Sequence, residues 1–569
     1  MDINYLRDQT LGYGSVLNGP YGERLITYAD YMTSGKGLHF LENYYIKLSE
    51  TYSNTHTEQD YTGKVTEQLY HHAKEIILKS VKANDQYCIF PSGTETTEAI
   101  HRLIKILGLY KTPGYMQRRE EYLSKIGQSD QDISIVRNFE ENFQTTRPVV
   151  FISSYEHHAN EIQWRESHAE VVKIKMDELG LFDLKDLKCK VANPKYKNRL
   201  KIGSFSAASS VTGIKTPVAE VAEIMHFYGG LVFFDYTVAG PYLDINMTKS
   251  ALEYFDGIYL SMHKFLGGQN TTGLLIMKKN LYNPETSPSI INSETIKCAV
   301  EDYHQYIQDI KAREDEETPN MMQLIKAAMA LDLKETLGVD YIQRVEQLRI
   351  SQAIETLRPE RNIDILGNPN PKRRLGIFSF NIRYRNGYLH QGFISALLND
   401  LFGIQSCSGC ANAGHYDTKL LKPELNNMRK LTDALNMGIK AMKPGWTRVH
   451  FHFTMDDEAF KFIIKAIQFV ARYGYLFLHE YTVSPATGRW KNRNIKNEFP
   501  AKLSLIVAMQ TKRLKIVSRH SSFGRNYRKY MKFANKKRLE LEKKTISLTK
   551  FGQRELHDIA WFYYAHKKE

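Results

Sequence analysis

The apolar residues of this chain follow two alternating rhythms. From Tyr61, the segment VTEQLYHHAKEIILKSV carries them near helical spacing, and QYCIF after it is a short strand-like run. TETTEAIHRLIKILG is helical again and closes at Gly108, and VAEVAEIMHFYGG is a helix stopped by Gly229 and Gly230. RPVVFISS, LKIGSFSAAS, GLVFFD, GIYLS and TGLLIMKK are short apolar or small-residue runs of strand length. Strands without polar alternation, separated by helices, predict an α/β fold with a mostly parallel sheet covered on both faces. A charged stretch from Tyr110 to Thr146 interrupts the pattern and reads as a surface insertion with helical pieces. Past Pro319 a long helix, MMQLIKAAMALDLKETLG, leads into mixed strand and helix as far as Trp490, a smaller α+β domain. FIIKAIQFVARYGYLFL is interrupted by Lys465 and Arg472, which makes it an amphipathic core helix and not a membrane span. The expected division is an N-terminal arm over 1–60, a large domain over 61–335, a small domain over 336–490 and an extension over 491–569.

Composition changes this picture only at the end of the chain. With 569 residues, 42% hydrophobic and 25% charged, it is ordinary for a soluble globular protein. The start, MDINYLRDQT, has no apolar leader segment, so a cytoplasmic protein with no membrane contact is expected. Cys88, Cys189, Cys298, Cys407 and Cys410 are too sparse for a disulfide framework. The net charge of +14 is concentrated: residues 491–569 hold 21 Lys and Arg against 6 Asp and Glu, leaving 56 bases and 57 acids elsewhere. In that extension Tyr527, Tyr530 and Phe533 interleave with bases, a pattern suited to a nucleic acid or another polyanion. The other reading is a solvated helical extension or a packing arm, and IAWFYY near the end is too apolar for a free tail.

Four stretches carry candidate chemistry. In SMHKFLGG, Lys264 follows the strand GIYLS, at the sheet edge where α/β proteins bind ligands, and a buried lysine suits Schiff-base chemistry. FFDYTVAG puts Asp235 at another strand end, 29 residues before Lys264, where a carboxylate can pair with a ring nitrogen. SSYEHHANE puts His157 and His158 after a third strand. Neither H-E-x-x-H nor H-x-x-E-H is present, so no metal is expected. PSGTETTEAI is a hydroxyl-rich turn opening a helix, an anion site in form.

In this order, GTETTEAI, YEHHANEIQWRE, SSVTGIKTPV, FFDYTVAG, SMHKFLGGQNTTG, REDEETPN and GWTRVHF resemble the class V, fold-type I enzymes that use pyridoxal 5′-phosphate (PLP), in particular the cysteine desulfurase and selenocysteine lyase branch. The resemblance runs from about Tyr28 to Trp490. It implies a PLP-dependent transferase fold, a homodimer, and an amino acid as substrate. Lys264 would hold the cofactor covalently, Asp235 would pair with its ring nitrogen and His157 would stack on its face. Thr96, Thr97, Ser261 and His263 would hold the phosphate, with Thr94 as an alternative in the same turn. Thr271 or Thr272 would reach the phosphate of the neighbouring subunit. Ser210 stands near the ring hydroxyl, where family members often carry Asn, and Arg448 would clamp the substrate carboxylate.

Departures from the family pattern cluster around sulfur transfer. Val238 stands where desulfurases often carry Gln. Asn412 falls at the place of their sulfur-accepting Cys, with Cys410 two residues earlier, and Cys407 falls where the family has an Arg. Cys407-Ser-Gly-Cys410 has three readings: incidental cysteines, a shifted catalytic Cys410, or a redox or metal pair. The function implied is a cysteine desulfurase-like PLP enzyme. The alternatives are a PLP-dependent lyase or transaminase, or a weakened PLP-fold protein with a nucleic-acid-binding tail.

Overall fold

The computed structural model describes residues 2–54, 59–126, 138, 142–143, 145–315, 319–409, 416, 420–421, 428–495, 504–510, 523–544, 547–551 and 559–565. The chain divides into two compact units. One comprises Asn43–Ser209 and Lys215–Val339; the other comprises Met1–Glu42, Ser210–Ile214 and Asp340–Glu569.

The first unit is built on a seven-stranded sheet. Its strands are β1 (Tyr87–Pro91), β2 (Val149–Ser153), β3 (Glu170–Ile174), β4 (Lys201–Ser206), β5 (Leu231–Asp235), β6 (Gly257–Ser261) and β7 (Gly273–Lys278). Their spatial order is β1-β7-β6-β5-β4-β2-β3. The neighbours from β3 to β6 are parallel, and β7 runs antiparallel to both β6 and β1. β1, β2 and β4 are buried at every position, as their uninterrupted apolar or small character requires of strands covered on both faces. Helix α1 (Tyr61–Ser80) opens the unit. Helix α2 (Thr96–Ile106) turns Ala99, Ile100 and Leu103 onto Phe90, Ile152, Phe233 and Leu275 of the sheet. Helices α3 (His158–Arg165) and α4 (Val218–Phe227) make two of the crossovers between parallel strands, and α5 (Met321–Leu337) packs along α1.

The second unit holds a smaller sheet of β8 (Ile363–Ile365), β9 (Ile377–Tyr384), β10 (Cys407–Gly409) and β11 (Trp446–His450), in the order β8-β9-β11-β10. Helices α6 (Gln391–Phe402) and α7 (Asp457–Tyr473) supply its core with Phe393, Leu397, Ile463 and Ile467 against Phe378, Phe380 and Val449. The strand at Thr27–Tyr28 pairs with Ile404–Gln405, which ties the N-terminal residues into this unit.

The contacts redraw the expected boundaries at both ends of the chain. Residues 1–42 and the described part of the extension belong to the compact second unit. Helix α8 (Phe523–Glu542) buries Tyr527, Tyr530, Ala534 and Leu541 in the same core as Phe462 and Leu398. Tyr527 stacks on Phe462 at 4.2 Å between ring centroids. The Tyr530 hydroxyl accepts from the Leu25 amide at 2.9 Å. These two rings are therefore core, and the expectation that they stack on nucleic acid is corrected. No helix among the described residues is long and apolar enough to cross a membrane.

Candidate active site

Sheet topology gathers the candidate residues of the first unit at one edge. The carboxyl ends of β2, β4, β5 and β6 point the same way because those strands are parallel. β7 reverses direction twice over, so the end of β1 and the start of β7 join that edge, with Gly273 paired to Ser261 and Leu274 to Pro91. Ser153, Ser206, Asp235 and Ser261 end their strands there, the Met262–Lys264 turn follows β6, and the 92–95 turn leads into α2.

A cluster of hydroxyls marks the start of α2. Thr96 N donates to Ser261 Oγ at 3.1 Å, and the Thr96 and Ser261 hydroxyls are 2.5 Å apart. The Thr237 hydroxyl contacts that of Thr96 and lies 3.4 Å from Ser261 Oγ. Glu95, at the N-cap of α2, makes no side-chain cap, so the remaining first-turn amides keep their donor capacity toward an anion. The backbone crowds closely here. A Cβ on Gly273 would stand 2.4 Å from the Glu95 carbonyl oxygen, and one on Gly268 would stand 2.0 Å from that of Met262. Only glycine lets the two turns close on each other. Three convergent hydroxyls beside a helix N-terminus fit the phosphate of PLP in donor chemistry and in local dipole.

Behind this cluster the site is electrostatically graded. Asp235 is buried and its Oδ1 accepts from Thr237 N at 2.8 Å, which orients one carboxylate oxygen and ties it to the hydroxyl cluster. His157 caps α3 with Nδ1 accepting from Ala159 N at 3.2 Å. Burial lowers its pKa, Asp235 opposes that shift, and Lys264 adds to it. The ring is therefore neutral at physiological pH, with Asp235 and Lys264 acting on it in opposite senses. Burial also lowers the pKa of His263, again aided by Lys264, with the Thr94 backbone among the opposing contacts. Lys264 itself is half-buried, directly after the strand that ends at Ser261.

Glu156 anchors the turn that carries His157. It is fully buried, and its carboxylate accepts from Ser153 N (3.2 Å), Ser153 Oγ (2.5 Å), Ser206 N (2.8 Å), Ser206 Oγ (2.6 Å) and Asn160 Nδ2 (2.8 Å). Burial raises its pKa, and these hydrogen bonds pull it back down. The carboxylate thereby pins the ends of β2 and β4 to the turn that carries His157.

Not every expected residue joins the cluster. Thr94 and Thr97 are exposed, and the Thr97 carbonyl accepts from Gln163 Nε2 at 2.9 Å. Thr271 Oγ1 donates to the Gly268 carbonyl at 2.5 Å and Thr272 Oγ1 to that of Gly93 at 2.8 Å. Both hydroxyls brace the edge and retain only acceptor capacity in this arrangement.

The remaining candidates lie in the second unit. Arg448 on β11 is buried; its Nη1 donates to the Ser210 carbonyl at 2.8 Å and its Nη2 to Thr33 Oγ1 at 3.1 Å, with Asp30 Oδ1 at 3.9 Å. Nε has no partner. Ser210 thus meets the arginine through its backbone, and its own hydroxyl is buried without a partner among the described residues. Cys407 sits on the edge strand β10, opposite Arg448 in register. Cys410 and Asn412 lie outside the described residues. Among the described residues no group of His, Cys, Asp and Glu is arranged to hold a metal.

Two site residues escaped sequence reasoning. Thr237 was visible only as the residue two after Asp235, and Glu156 only as the residue before His157. A buried acid beside small hydroxyl residues at strand ends was the available signal.

Comparison with known proteins bears on the family and the fold. The family model for class-V aminotransferases matches residues 127–422. A probable cysteine desulfurase of Halalkalibacterium halodurans is 24% identical over 378 residues, covering 60% of this chain and 86% of that one. The cysteine desulfurase of Haloferax volcanii is 26% identical over 255 residues, 44% of this chain and 56% of its own. Among solved structures, the apo cysteine desulfurase of Thermococcus onnurineus superposes with a TM-score of 0.62 at 17% identity, over 82% of this chain and 97% of that one. A cysteine desulfurase of Escherichia coli superposes with a TM-score of 0.59 at 16% identity, over 82% and 98%. At such identities the superpositions establish the fold, which is that of the type I PLP enzymes.

Proposed function

The chain belongs to the class-V aminotransferase family and is a PLP-dependent enzyme, and from that premise we propose that it acts on cysteine, removing the sulfur and releasing alanine. The observation that carries the placement of the cofactor is the Thr96–Thr237–Ser261 hydroxyl cluster at the N-terminus of α2, beside Asp235 and the turn of Lys264. In this reading Lys264 Nζ is the covalent anchor, the three hydroxyls and the first-turn amides of α2 bind the phosphate, and Asp235 holds a proton on the ring nitrogen. The chemistry that bound PLP supplies is withdrawal of electrons from the substrate Cα. His157, kept neutral by burial, offers a flat uncharged face, and Lys264 Nζ moves the Cα proton once it is freed from its anchor role. Arg448 binds the substrate carboxylate through its planar fork, a geometry that an ammonium cannot reproduce. Sulfur passes to a cysteine thiolate, for which Cys410 is the candidate, so that a C–S bond breaks as an S–S bond forms. The enzyme works as a cytoplasmic homodimer, and for Thr271 or Thr272 to reach the partner's phosphate its hydroxyl must first give up its bond to the Gly268 or Gly93 carbonyl.

A second reading is favoured by one observation. Val238, where desulfurases often carry Gln, is buried and offers no hydrogen bond. An elimination or transamination that needs no such donor would then replace sulfur transfer. One set of measurements separates the readings. Purified protein should absorb in the visible, borohydride should bleach that band, and peptide mapping should find the label on Lys264. With cysteine and a thiol reductant, alanine and sulfide should form in equal amounts. Pyruvate and ammonia in place of alanine would favour elimination, and a label on another lysine would sink the site assignment.

A further inference from the structure

A cavity of about 630 Å³ opens in the second unit at the N-terminal end of α6 (Gln391–Phe402). Lys440, Lys443 and Arg489 line it. All three are exposed, none has an ion-pair partner among the described residues, and no Asp or Glu is among the described lining residues. Such an unbalanced group of cations around a concave wall concentrates positive potential inside it.

Two buried polar atoms of the wall are also without partners. Gln391 is 4% exposed; its Nε2 donates to the Lys443 carbonyl at 3.2 Å, and its Oε1 has no donor among the described residues. Trp490 Nε1 is buried with no acceptor among the described residues. The indole edge that carries this N–H reaches the first turn of α6: Trp490 Cδ1 lies 3.1 Å from where a Cβ on Gly392 would stand. His390 caps that turn, with Nδ1 accepting from Gly392 N at 2.9 Å and Nε2 directed to the Ala441 carbonyl at 3.2 Å. Buried polar groups in folded proteins are nearly always satisfied, so two unmet ones on residues that line the same cavity are an exception that a ligand's polar groups would resolve.

We propose that this cavity binds a small, multiply charged phosphorylated compound, with Lys440, Lys443 and Arg489 neutralising its phosphates, Trp490 Nε1 donating to a phosphate oxygen and Gln391 Oε1 accepting from a ligand hydroxyl. Three cations plus the positive end of a helix call for two or more negative charges, which a single carboxylate does not supply. The residue types agree: lysines serve as point charges for phosphate, and the arginine fork grips two of its oxygens. The volume suits a molecule of nucleotide size and exceeds what inorganic phosphate needs. None of these residues has a role in the PLP reading, so the two stand independently.

The test is isothermal titration calorimetry on PLP-loaded, desalted protein, in which the cofactor already fills the phosphate site of the first unit. The probes are inorganic pyrophosphate, ATP and citrate. Pyrophosphate or ATP should bind with a micromolar Kd at low salt and weaken as salt rises, and citrate should bind at least tenfold more weakly. ATP binding tighter than pyrophosphate identifies a nucleoside source, and equal affinities identify the phosphates alone. Lys443→Ala combined with Arg489→Ala, at exposed positions, should weaken binding tenfold or more. Trp490→Phe, which keeps an aromatic ring at the position and deletes the N–H, should weaken it several-fold. Lys461→Ala, an exposed cation on α7, should change nothing. Absence of heat with every probe, or wild-type affinity in the double variant, would overturn the proposal. Citrate binding as tightly as pyrophosphate would overturn the phosphate assignment.

Discussion

The hydroxyl of Ser261 lies 2.5 Å from that of Thr96, 165 residues away in sequence, and accepts from the Thr96 amide at 3.1 Å. This contact joins the end of β6 to the start of α2 and so sets the spacing of the hydroxyl cluster proposed to hold the phosphate. Ser261→Ala removes one hydroxyl donor and one acceptor for the amide. Hydrogen bonds to charged groups contribute roughly 1.5–3 kcal/mol, so PLP affinity should fall about tenfold to a hundredfold. Absorbance titration of apo protein with PLP measures this; Thr237→Ala should behave alike, and exposed Thr97→Ala should leave the affinity unchanged.

Glu156 tests whether the His157 turn is held from beneath. Its carboxylate takes hydrogen bonds from Ser153, Ser206 and Asn160. Glu156→Gln turns one acceptor into a donor that faces the hydroxyl and amide donors. One unsatisfied buried group costs about 1–3 kcal/mol, so a loss of about 2–4 kcal/mol is expected for this network. Urea unfolding would report it. A shift of the PLP absorbance band in the folded variant would show that His157 has moved.

How much of this was legible beforehand varies with the physical origin of each feature. The strands β1, β2, β4, β5, β6 and β7 were readable because burial on both faces forces an apolar run. Lys264, Asp235, His157, Thr96 and Ser261 were readable by resemblance, and the structure places them along one sheet edge of the first unit. Thr237 and Glu156 were not, since their roles come from hydrogen bonds across strands that no local pattern records. Of the two readings of the extension, the packing arm follows from its apolar positions, since Tyr527, Tyr530, Ala534 and Leu541 repeat at helical spacing and that stripe is its buried face, while the polyanion reading rested on charge and on two rings that turn inward.

The packing of α8 carries its own prediction. Tyr530→Ala removes a ring in contact with the second unit's core, the acceptor for Leu25 N and the face beneath the Arg24 guanidinium, 4.8 Å from the ring centroid. Large-to-small changes at buried aromatics cost about 3–5 kcal/mol. Deleting residues 523–569 should therefore yield insoluble or proteolytically sensitive protein. A soluble truncated protein with an unchanged unfolding midpoint would show the helix to be dispensable.

Arg448→Lys separates substrate recognition from cofactor binding. The guanidinium has one nitrogen on the Ser210 carbonyl, one on Thr33 and an unpartnered Nε. Lysine retains the charge and loses the fork. KM for the amino acid should rise about tenfold to a hundredfold, the range of a lost bidentate charge-assisted pair, while the PLP spectrum stays as in the wild type. Unchanged KM would place the carboxylate clamp elsewhere.

His390 predicts acid sensitivity of the second unit. Burial pushes its pKa down to about 3, and its hydrogen bond to the Ala441 carbonyl only partly opposes this. In the unfolded chain a histidine titrates near 6.5. Between those values the unfolded state binds a proton that the folded state refuses, so stability is full above pH 6.5 and falls as pH falls. One such proton corresponds to about 1.4 kcal/mol per pH unit, or about 2 kcal/mol between pH 6.5 and 5. His452, whose pKa burial also lowers well below the usual value, adds to the same slope. His390→Asn keeps a side chain able to cap α6 and removes the titration. Its stability at pH 7 should drop through lost packing, while the slope of unfolding free energy between pH 6.5 and 5 should become shallower by about one proton. An unaltered slope would mean that His390 already titrates normally in the folded protein.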